Sequence, residues 1–302
     1  MDKSVFLLLI GDAHGQPVDR YQELQAKDAG AVARAAGIRL ETAWATSFDQ
    51  YGALRRHLLA TSADAVIAEP ASVATASLIL RHLQGHAGLV VLNAWDAAFE
   101  QPLREWGKEH PIGTVSQPQD LIGRLQGRQL SAVTPQGGHV LLVTGPARSS
   151  AARERLEGLR SELRADVTLH TTEAGQWSEP DGILAFNAWY GVFRTRREEI
   201  HAIAGQSDDL AVGAQKGACA VSNPAHAAMF RGARLLGVGA VPGYGRELVD
   251  AGRLAASVTV KPNAGLALTL LRQFWADGRP LPARTASEAE AYPPASAERL
   301  AG

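Results

Sequence analysis

The sequence lacks the cysteines, the long hydrophobic runs and the charge excess that mark several large classes of protein. Its 302 residues include one cysteine, Cys219, so the chain can form no internal disulfide and no cysteine-based metal site. The first hydrophobic run, Val5–Ile10, is too short to span a membrane, and the pattern of a signal peptide is not visible. A formal net charge of −1 argues against a nucleic-acid-binding protein, which needs a basic face.

What the sequence has is a regular alternation of strand-like and helix-like segments. Short aliphatic runs such as Val5–Ile10 and Val140–Thr144 alternate with longer amphipathic segments such as Arg20–Ala36 and Ser149–Leu163. A further helix is predicted over Phe99–Gly107. This alternation predicts right-handed βαβ units and parallel sheets that are covered by helices on both faces. It recurs in both halves of the chain, which indicates two similar lobes.

Sequence motifs for enzymes are absent or poorly formed. Gly237–Gly243 has the wrong spacing for a dinucleotide-binding loop, and neither a phosphate-binding G-x-x-x-x-G-K-[ST] motif nor a G-x-S-x-G motif occurs. His82 and His86 have a zinc-like spacing, but the residues between them supply no general base, so we interpret them as solvent-exposed. A Rossmann-like enzyme is therefore the weakest alternative, and we predict no metal, no cofactor and no catalytic residues.

Polar and aromatic residues follow several of the predicted strands. In the first half these are Asp12, Glu69 and Asn93, and in the second half Arg155, Trp177 and the pair Ser207 and Asp208 occupy comparable places. Parallel sheets place ligands at the carboxyl ends of their strands, so these residues are candidates for a binding site. Aromatic rings can stack on the apolar faces of a sugar, and Arg, Asn and carboxylates can hydrogen-bond its hydroxyls.

Three segments that occur in order carry a resemblance to a known family. They are GPARSSAARERLEGLRSEL (Gly145–Leu163), AGQSDDLAVGA (Ala204–Ala214) and VDAGRLAASVTVKP (Val249–Pro262). Together they resemble the type I periplasmic sugar-binding proteins of the ribose-binding class, whose ligand domain is shared with LacI-type repressors. The resemblance extends over nearly the whole chain, from Val5 to about Pro282.

The resemblance implies an α/β fold of two interleaved, doubly wound parallel-sheet lobes joined by a three-segment hinge. The first lobe would comprise residues 1–117 plus 262–286, and the second 118–261 plus 287–302. Proteins of this family perform no chemistry. They capture a small sugar-like ligand in the cleft between the lobes by hinge closure, and an ABC permease or a signalling partner reads the closed form. A monomer that binds neither nucleic acid nor cofactor is implied.

The resemblance also assigns ligand-binding roles to individual residues. The ligand-binding arginine of the family corresponds to Arg155, its second-lobe aromatic residue to Trp177, and an aromatic residue of the first helix to Tyr21. Asn93 replaces a common aspartate, and Glu69 stands where asparagine is common. The pair Ser207 and Asp208 replaces an Asn-Asp pair, and Asp12 lies in a longer loop than usual.

Several departures from the family pattern point in one direction. Ala94, Ser207, Gly239 and Val260 are all smaller or less polar than their counterparts in the family. A buried hydroxyl without a partner costs about 1–3 kcal/mol, so these losses disfavour tight binding of ribose. We predict a larger or less hydroxyl-rich ligand that is neutral or weakly charged.

The cellular role has one alternative from a different class, a stand-alone cytoplasmic ligand sensor or regulatory domain. A LacI-type repressor needs a DNA-binding head before the first strand, and here that strand begins at Val5. The resemblance implies a periplasmic protein. A chain that starts naturally at Met1 without an export signal is instead expected in the cytoplasm.

Overall fold

A computed structural model of the chain describes residues 2–46, 49–60, 62–70, 72–83, 86–94, 110–196 and 198–294. The chain divides into two compact units, Met1–Gln117 with Lys261–Ser287 and Pro118–Val260 with Glu288–Gly302. It therefore passes from one unit to the other three times. These bounds differ by one residue at two junctions from the lobes that the family resemblance implies. The helix predicted over Phe99–Gly107 lies outside the described residues.

The first unit is built on a six-stranded parallel sheet. Its strands, in the spatial order β11-β5-β4-β3-β1-β2, are β1 (Lys3–Ile10), β2 (Ile38–Ala45), β3 (Ala65–Ala68), β4 (Gly88–Leu92), β5 (Ile112–Ser116) and β11 (Arg284–Ala286). The described helices of this unit are α1 (Arg20–Ala36), α2 (Gln50–Ala60), α3 (Val73–Leu83) and α10 (Ala264–Asp277).

Both faces of this sheet are buried, and β1 shows why. Phe6 and Leu8 point into one hydrophobic core, which includes residues of α2 and α3, while Leu7 and Leu9 point into another beside α1 and α10. All four side chains are at most 1% exposed. A strand covered on both faces has no polar side, which explains the uninterrupted hydrophobic run Val5–Ile10.

The second unit is built on a four-stranded parallel sheet in the order β7-β6-β8-β9 and a two-stranded antiparallel ribbon, β10-β12. The strands are β6 (Gly138–Thr144), β7 (Val167–Glu173), β8 (Ile200–Gly205), β9 (Arg234–Leu236), β10 (Ser257–Val260) and β12 (Ala289–Tyr292). The described helices are α4 (Gln119–Val133), α5 (Ser150–Glu162), α6 (Glu179–Phe193), α7 (Asp208–Cys219), α8 (Pro224–Gly232) and α9 (Gly245–Asp250).

The α/β class and the parallel sheets predicted from the sequence are confirmed, with two additions. The short helix α8 was not predicted, although Asn223 and Pro224 form a helix-start signal, and the Asn223 side chain accepts hydrogen bonds from the backbone of Ala225 and His226. The C-terminal stretch contributes a strand to each unit, β11 and β12. Among the described residues, the helices are all too short or too polar to cross a membrane.

Candidate functional site

The first unit gathers polar side chains along the carboxyl edge of its sheet. Asp12, Glu69, Asn93 and Gln117 follow β1, β3, β4 and β5, and these four parallel strands are neighbours in the sheet. The carboxyl edge of a parallel sheet is where α/β proteins bind their ligands. Two of the residues predicted from the sequence, Glu69 and Asn93, are in direct contact.

Glu69 is the acceptor of a buried hydrogen-bond network, the Glu69 cluster, formed by Gln22, Gln25, Glu69, Asn93 and Asn263. Glu69 Oε2 accepts hydrogen bonds from Gln22 Nε2 at 3.1 Å and from Gln25 Nε2 at 3.3 Å. Glu69 Oε1 accepts one from Asn93 Nδ2 at 2.9 Å. Burial raises the pKa of Glu69, and the three amide donors act against that rise.

The amide oxygens of Gln22, Gln25 and Asn93 are also occupied, which fixes the orientation of these three amides. Gln25 Oε1 accepts hydrogen bonds from the backbone N–H groups of Asn263, at 2.7 Å, and Ala264, at 2.9 Å, where α10 begins. Asn93 Oδ1 accepts one from Asn263 Nδ2 at 2.6 Å. The cluster therefore joins α1 and α10 to the residues that follow β3 and β4.

Asp12 and Tyr21, the other two predicted residues of this unit, lie outside the Glu69 cluster. Asp12 Oδ1 accepts hydrogen bonds from the backbone N–H groups of His14, at 2.8 Å, and Gln16, at 3.0 Å, and so closes the loop after β1. These backbone donors, Gln16 first, lower the pKa of Asp12. The Tyr21 hydroxyl accepts a hydrogen bond from Gln117 Nε2, which holds its ring beside the residue that follows β5.

The second unit has its own group of side chains at the carboxyl edge, the Arg155 cluster, formed by Gln119, Arg155, Trp177 and Gln206. Arg155 Nε donates to Gln119 Oε1 at 2.7 Å, and its Nη1 donates to the Gln206 carbonyl at 2.6 Å. The Arg155 guanidinium lies 5.3 Å from the centroid of the Trp177 ring, within cation–π range. The structure thus brings together two residues that were predicted to bind ligand.

The position of Trp177 depends on Gly145, the residue that follows β6. A Cβ atom on Gly145 would lie 2.3–2.6 Å from three carbons of the Trp177 ring. Glycine is therefore the residue that lets the indole lie against the backbone at this strand end. Trp177 is half-buried and packs against the hydrophobic core of the second unit.

Asp208 is buried and faces the interior of the second unit. Its Oδ1 accepts a hydrogen bond from Ser257 Oγ at 2.7 Å, and its Oδ2 accepts one from the backbone N–H of Ala240 at 2.7 Å. Burial raises the pKa of Asp208 to about 6. A Cβ atom on Gly239 would lie 2.8 Å from Asp208 Oδ2, so the carboxylate fills the space beside this glycine.

Ser207 caps the helix α7. Its Oγ accepts a hydrogen bond from the backbone N–H of Leu210 at 3.1 Å. Removing such a cap costs about 0.5–2 kcal/mol. We expect Ser207→Ala to lower the free energy of unfolding in urea by that amount, and Ser207→Asp, which keeps an acceptor, to lower it less. Equal losses for the two variants would contradict the capping role.

The residues that sequence reasoning missed are mostly glutamines. Gln22, Gln25, Gln119 and Gln206 are each at most 5% exposed and hold the predicted residues in place. Gln22 and Gln25 are three residues apart in α1, so they lie on one face of the helix. The alanines Ala29 and Ala33 continue that buried face. The sequence signal for these buried glutamines was the pair Gln22 and Gln25, which interrupts the apolar face of α1.

The sequence matches no protein-family model and no curated protein. The structure is similar to several solved structures. A glycerol-bound ABC transporter solute-binding protein from Mycobacterium smegmatis is 16% identical, with a TM-score of 0.79 over 100% of this chain and 98% of that one.

Two further structures show the same similarity. A galactofuranose-binding protein is 19% identical, with a TM-score of 0.77 over 99% of this chain and 97% of that one. A solute-binding protein from Actinobacillus succinogenes with bound D-allose is 16% identical, with a TM-score of 0.77 over 99% of both chains. At sequence identities this low, the structural similarity shows the fold alone. The chain has the type I periplasmic-binding-protein fold, as the resemblance implied.

Proposed function

We propose that this chain is a solute-binding protein that captures a small sugar-like molecule for an ABC-type transporter or a related sensing system. The observation that carries the proposal is the Arg155 cluster, in which a buried cation and an indole ring are fixed side by side at the carboxyl edge of the sheet. The similar structures named above include proteins bound to glycerol and D-allose. The proposal assigns binding to the chain and no chemical step.

Each unit offers groups that suit a polyhydroxylated ring. The indole of Trp177 can stack on the C–H face of a sugar, while the guanidinium of Arg155 can donate hydrogen bonds to its hydroxyls. In the first unit, Tyr21 and Asn93 supply an aromatic ring and an amide. Because the carboxylates of Glu69 and Asp208 are engaged in contacts inside their own units, they are not available to pair with a cationic ligand, and we expect a neutral or weakly charged one.

The proposal is tested with a panel of furanoses, pyranoses, cyclic polyols and nucleosides, measured by thermal shift and then by calorimetry. A ligand that binds the native state raises the melting temperature in proportion to the logarithm of its concentration. We expect at least one cyclic polyol or sugar to bind, and ribose to bind weakly. Tight binding of ribose would contradict the predicted ligand class, and absence of binding across the panel would count against the proposed function.

The role of Trp177 is tested by replacing it with phenylalanine. Loss of part of the stacking surface is expected to weaken binding of the ligand found in the panel about tenfold, equivalent to about 1.4 kcal/mol. Gly145→Ala should weaken binding similarly, since the added methyl group displaces the ring while leaving Trp177 present.

The matched control is Trp275→Phe. Trp275 lies near the C-terminal end of α10, about 18 Å along the helix from Asn263 at the N-terminal end. It packs in the core of the first unit. This variant should bind the ligand with unchanged affinity. If Trp177→Phe and Trp275→Phe behave alike, Trp177 is a packing residue and the proposed site is misplaced.

A further inference from the structure

Three potential metal ligands meet near the amino ends of neighbouring strands in the second unit. His139 is the second residue of β6, His170 is the fourth residue of β7, and Glu198 lies two residues before β8. In the sheet His139 pairs with Thr168, so His170 is its diagonal neighbour on the same face. This end of the sheet is opposite to the edge that carries the Arg155 cluster.

The ligand atoms lie at distances that suit a small ion. His139 Nδ1 is 3.1 Å from His170 Nε2, and His170 Nε2 is 3.9 Å from Glu198 Oε2. All three atoms lie within 4.8 Å of one another. Ligands about 2.0–2.1 Å from a tetrahedral ion are separated by about 3.3–3.4 Å, so a small side-chain adjustment would bring them to one centre.

The environment of these three ligand atoms suits a bound metal ion. Glu198 Oε2 is buried and makes no hydrogen bond within the part of the chain that the structure describes. The His170 ring contacts the rings of Trp189 and Phe193 edge-on, each at 6.2 Å between centroids. These rings from α6 form an apolar wall that restricts the imidazole to few orientations, as metal-ligating histidines require.

We propose that His139, His170 and Glu198 form a site for a divalent transition-metal ion, with Zn²⁺ as the probe. Two imidazole nitrogens and one carboxylate oxygen form a His₂Glu set, which leaves a coordination position for water in a tetrahedral site. Ca²⁺ and Mg²⁺ need six or more oxygen ligands, so they should not compete. The site would tie β6 and β7 to the segment that precedes β8, and it is independent of the proposed solute-binding role.

One charged group opposes the ion. Arg196 Nη1 lies 3.6 Å from Glu198 Oε2, and the Arg196 side chain is 51% exposed. Its positive charge competes with the metal for the same carboxylate oxygen. Arg196→Ala is therefore expected to increase the affinity for Zn²⁺ severalfold. Because Arg196 is exposed, this variant should fold normally, so the test does not depend on removing a half-buried ligand.

The experiment is calorimetric titration of the chelator-treated full chain with Zn²⁺, supported by the visible absorption of bound Co²⁺, which reports four-coordinate geometry. We expect one Zn²⁺ per chain. His139→Ala, His170→Ala and Glu198→Gln should each weaken binding by at least the ~10–100-fold that loss of an outer-shell partner typically causes. His86→Ala, which removes an exposed histidine of the first unit, should leave affinity unchanged.

Three results would contradict the proposal. The first is Zn²⁺ binding that is absent, or equally strong in the three ligand variants and the wild type. The second is an Arg196→Ala variant with unchanged or weaker affinity. Displacement of Zn²⁺ by equimolar Ca²⁺ would also contradict the assigned ligand chemistry. Measuring the solute panel in the presence of chelator keeps sugar binding separate from each of these outcomes.

Discussion

Replacing Glu69 with leucine is expected to lower the free energy of unfolding by at least about 3 kcal/mol. Leucine has nearly the size of glutamate but accepts no hydrogen bonds, so the amide groups of Gln22, Gln25 and Asn93 would lose their acceptor. Each buried, unpaired donor costs about 1–3 kcal/mol. We take the lower bound because removing a buried carboxylate recovers part of the loss. Urea denaturation followed by circular dichroism measures the change.

Two control variants separate the network from simple loss of charge. Glu69→Gln keeps one oxygen but presents an NH₂ group to donors, so an intermediate loss of about 1–3 kcal/mol is expected. Glu23→Leu removes an exposed glutamate from the first turn of α1 and should cost less than about 1 kcal/mol. If Glu69→Leu is as stable as Glu23→Leu, the Glu69 cluster does not hold the first unit together.

Most of the strands and helices could be predicted from the sequence because their signals are local. Helix α1 was predicted over Arg20–Ala36, the range that the structure shows. Asp19 caps its start, and Gly37 ends it in the left-handed conformation with φ of 64°. Helix α8 was missed because nine residues give too few turns for a clear apolar stripe, so its cap was the only strong signal.

The candidate site was predictable only in outline. Strand topology fixes which residues follow a strand, so Glu69 and Asn93 could be named before the structure was known. Arg155 lies within α5 rather than directly after a strand, and the family resemblance is what named it. The role of each side chain depends on contacts between residues far apart in sequence. Asp208 shows this, because its partner Ser257 lies 49 residues away.

The proposed metal site of His139, His170 and Glu198 was even less predictable from the sequence. His139 and His170 are 31 residues apart, a separation that matches no metal-binding motif. Their proximity comes from the register between β6 and β7, which the sequence does not state. His82 and His86, which do have a motif-like spacing, lie in and just after α3, and the structure shows no ligand cluster around them in its described residues.

The last prediction concerns pH and Asp208. Because burial raises its pKa to about 6 in the folded chain, against an ordinary value of 3.8, the folded state holds this proton more tightly than the unfolded state. The stabilising effect is complete below pH 3.8 and is lost as the pH rises through 6. A shift of about two units corresponds to about 3 kcal/mol. Asp208→Asn carries no ionisable group there and should lack this loss.

Asparagine at position 208 can keep both hydrogen bonds of Asp208, so the two proteins differ mainly in the ionisable group. Its oxygen can accept from the Ala240 backbone, and its NH₂ group can donate to Ser257 Oγ, since a hydroxyl both donates and accepts. The stability of Asp208→Asn relative to the wild type should therefore rise by about 3 kcal/mol between pH 3.5 and 7.5, with the change centred between the two pKa values. Other acidic groups are common to both proteins and cancel in this difference.

Ser257→Ala provides an independent check on the same carboxyl. Removing the Ser257 hydroxyl takes away the hydrogen bond that most lowers the pKa of Asp208, so the pKa should rise further. The loss of stability should then extend to higher pH than in the wild type, as urea denaturation at a series of pH values would show. A stability difference between Asp208→Asn and wild type that stays constant from pH 3.5 to 7.5 would mean that Asp208 keeps its ordinary pKa of 3.8 in the folded chain. In that case water or another donor must reach the buried carboxylate, because two hydrogen bonds in an apolar interior do not offset the desolvation of a full charge.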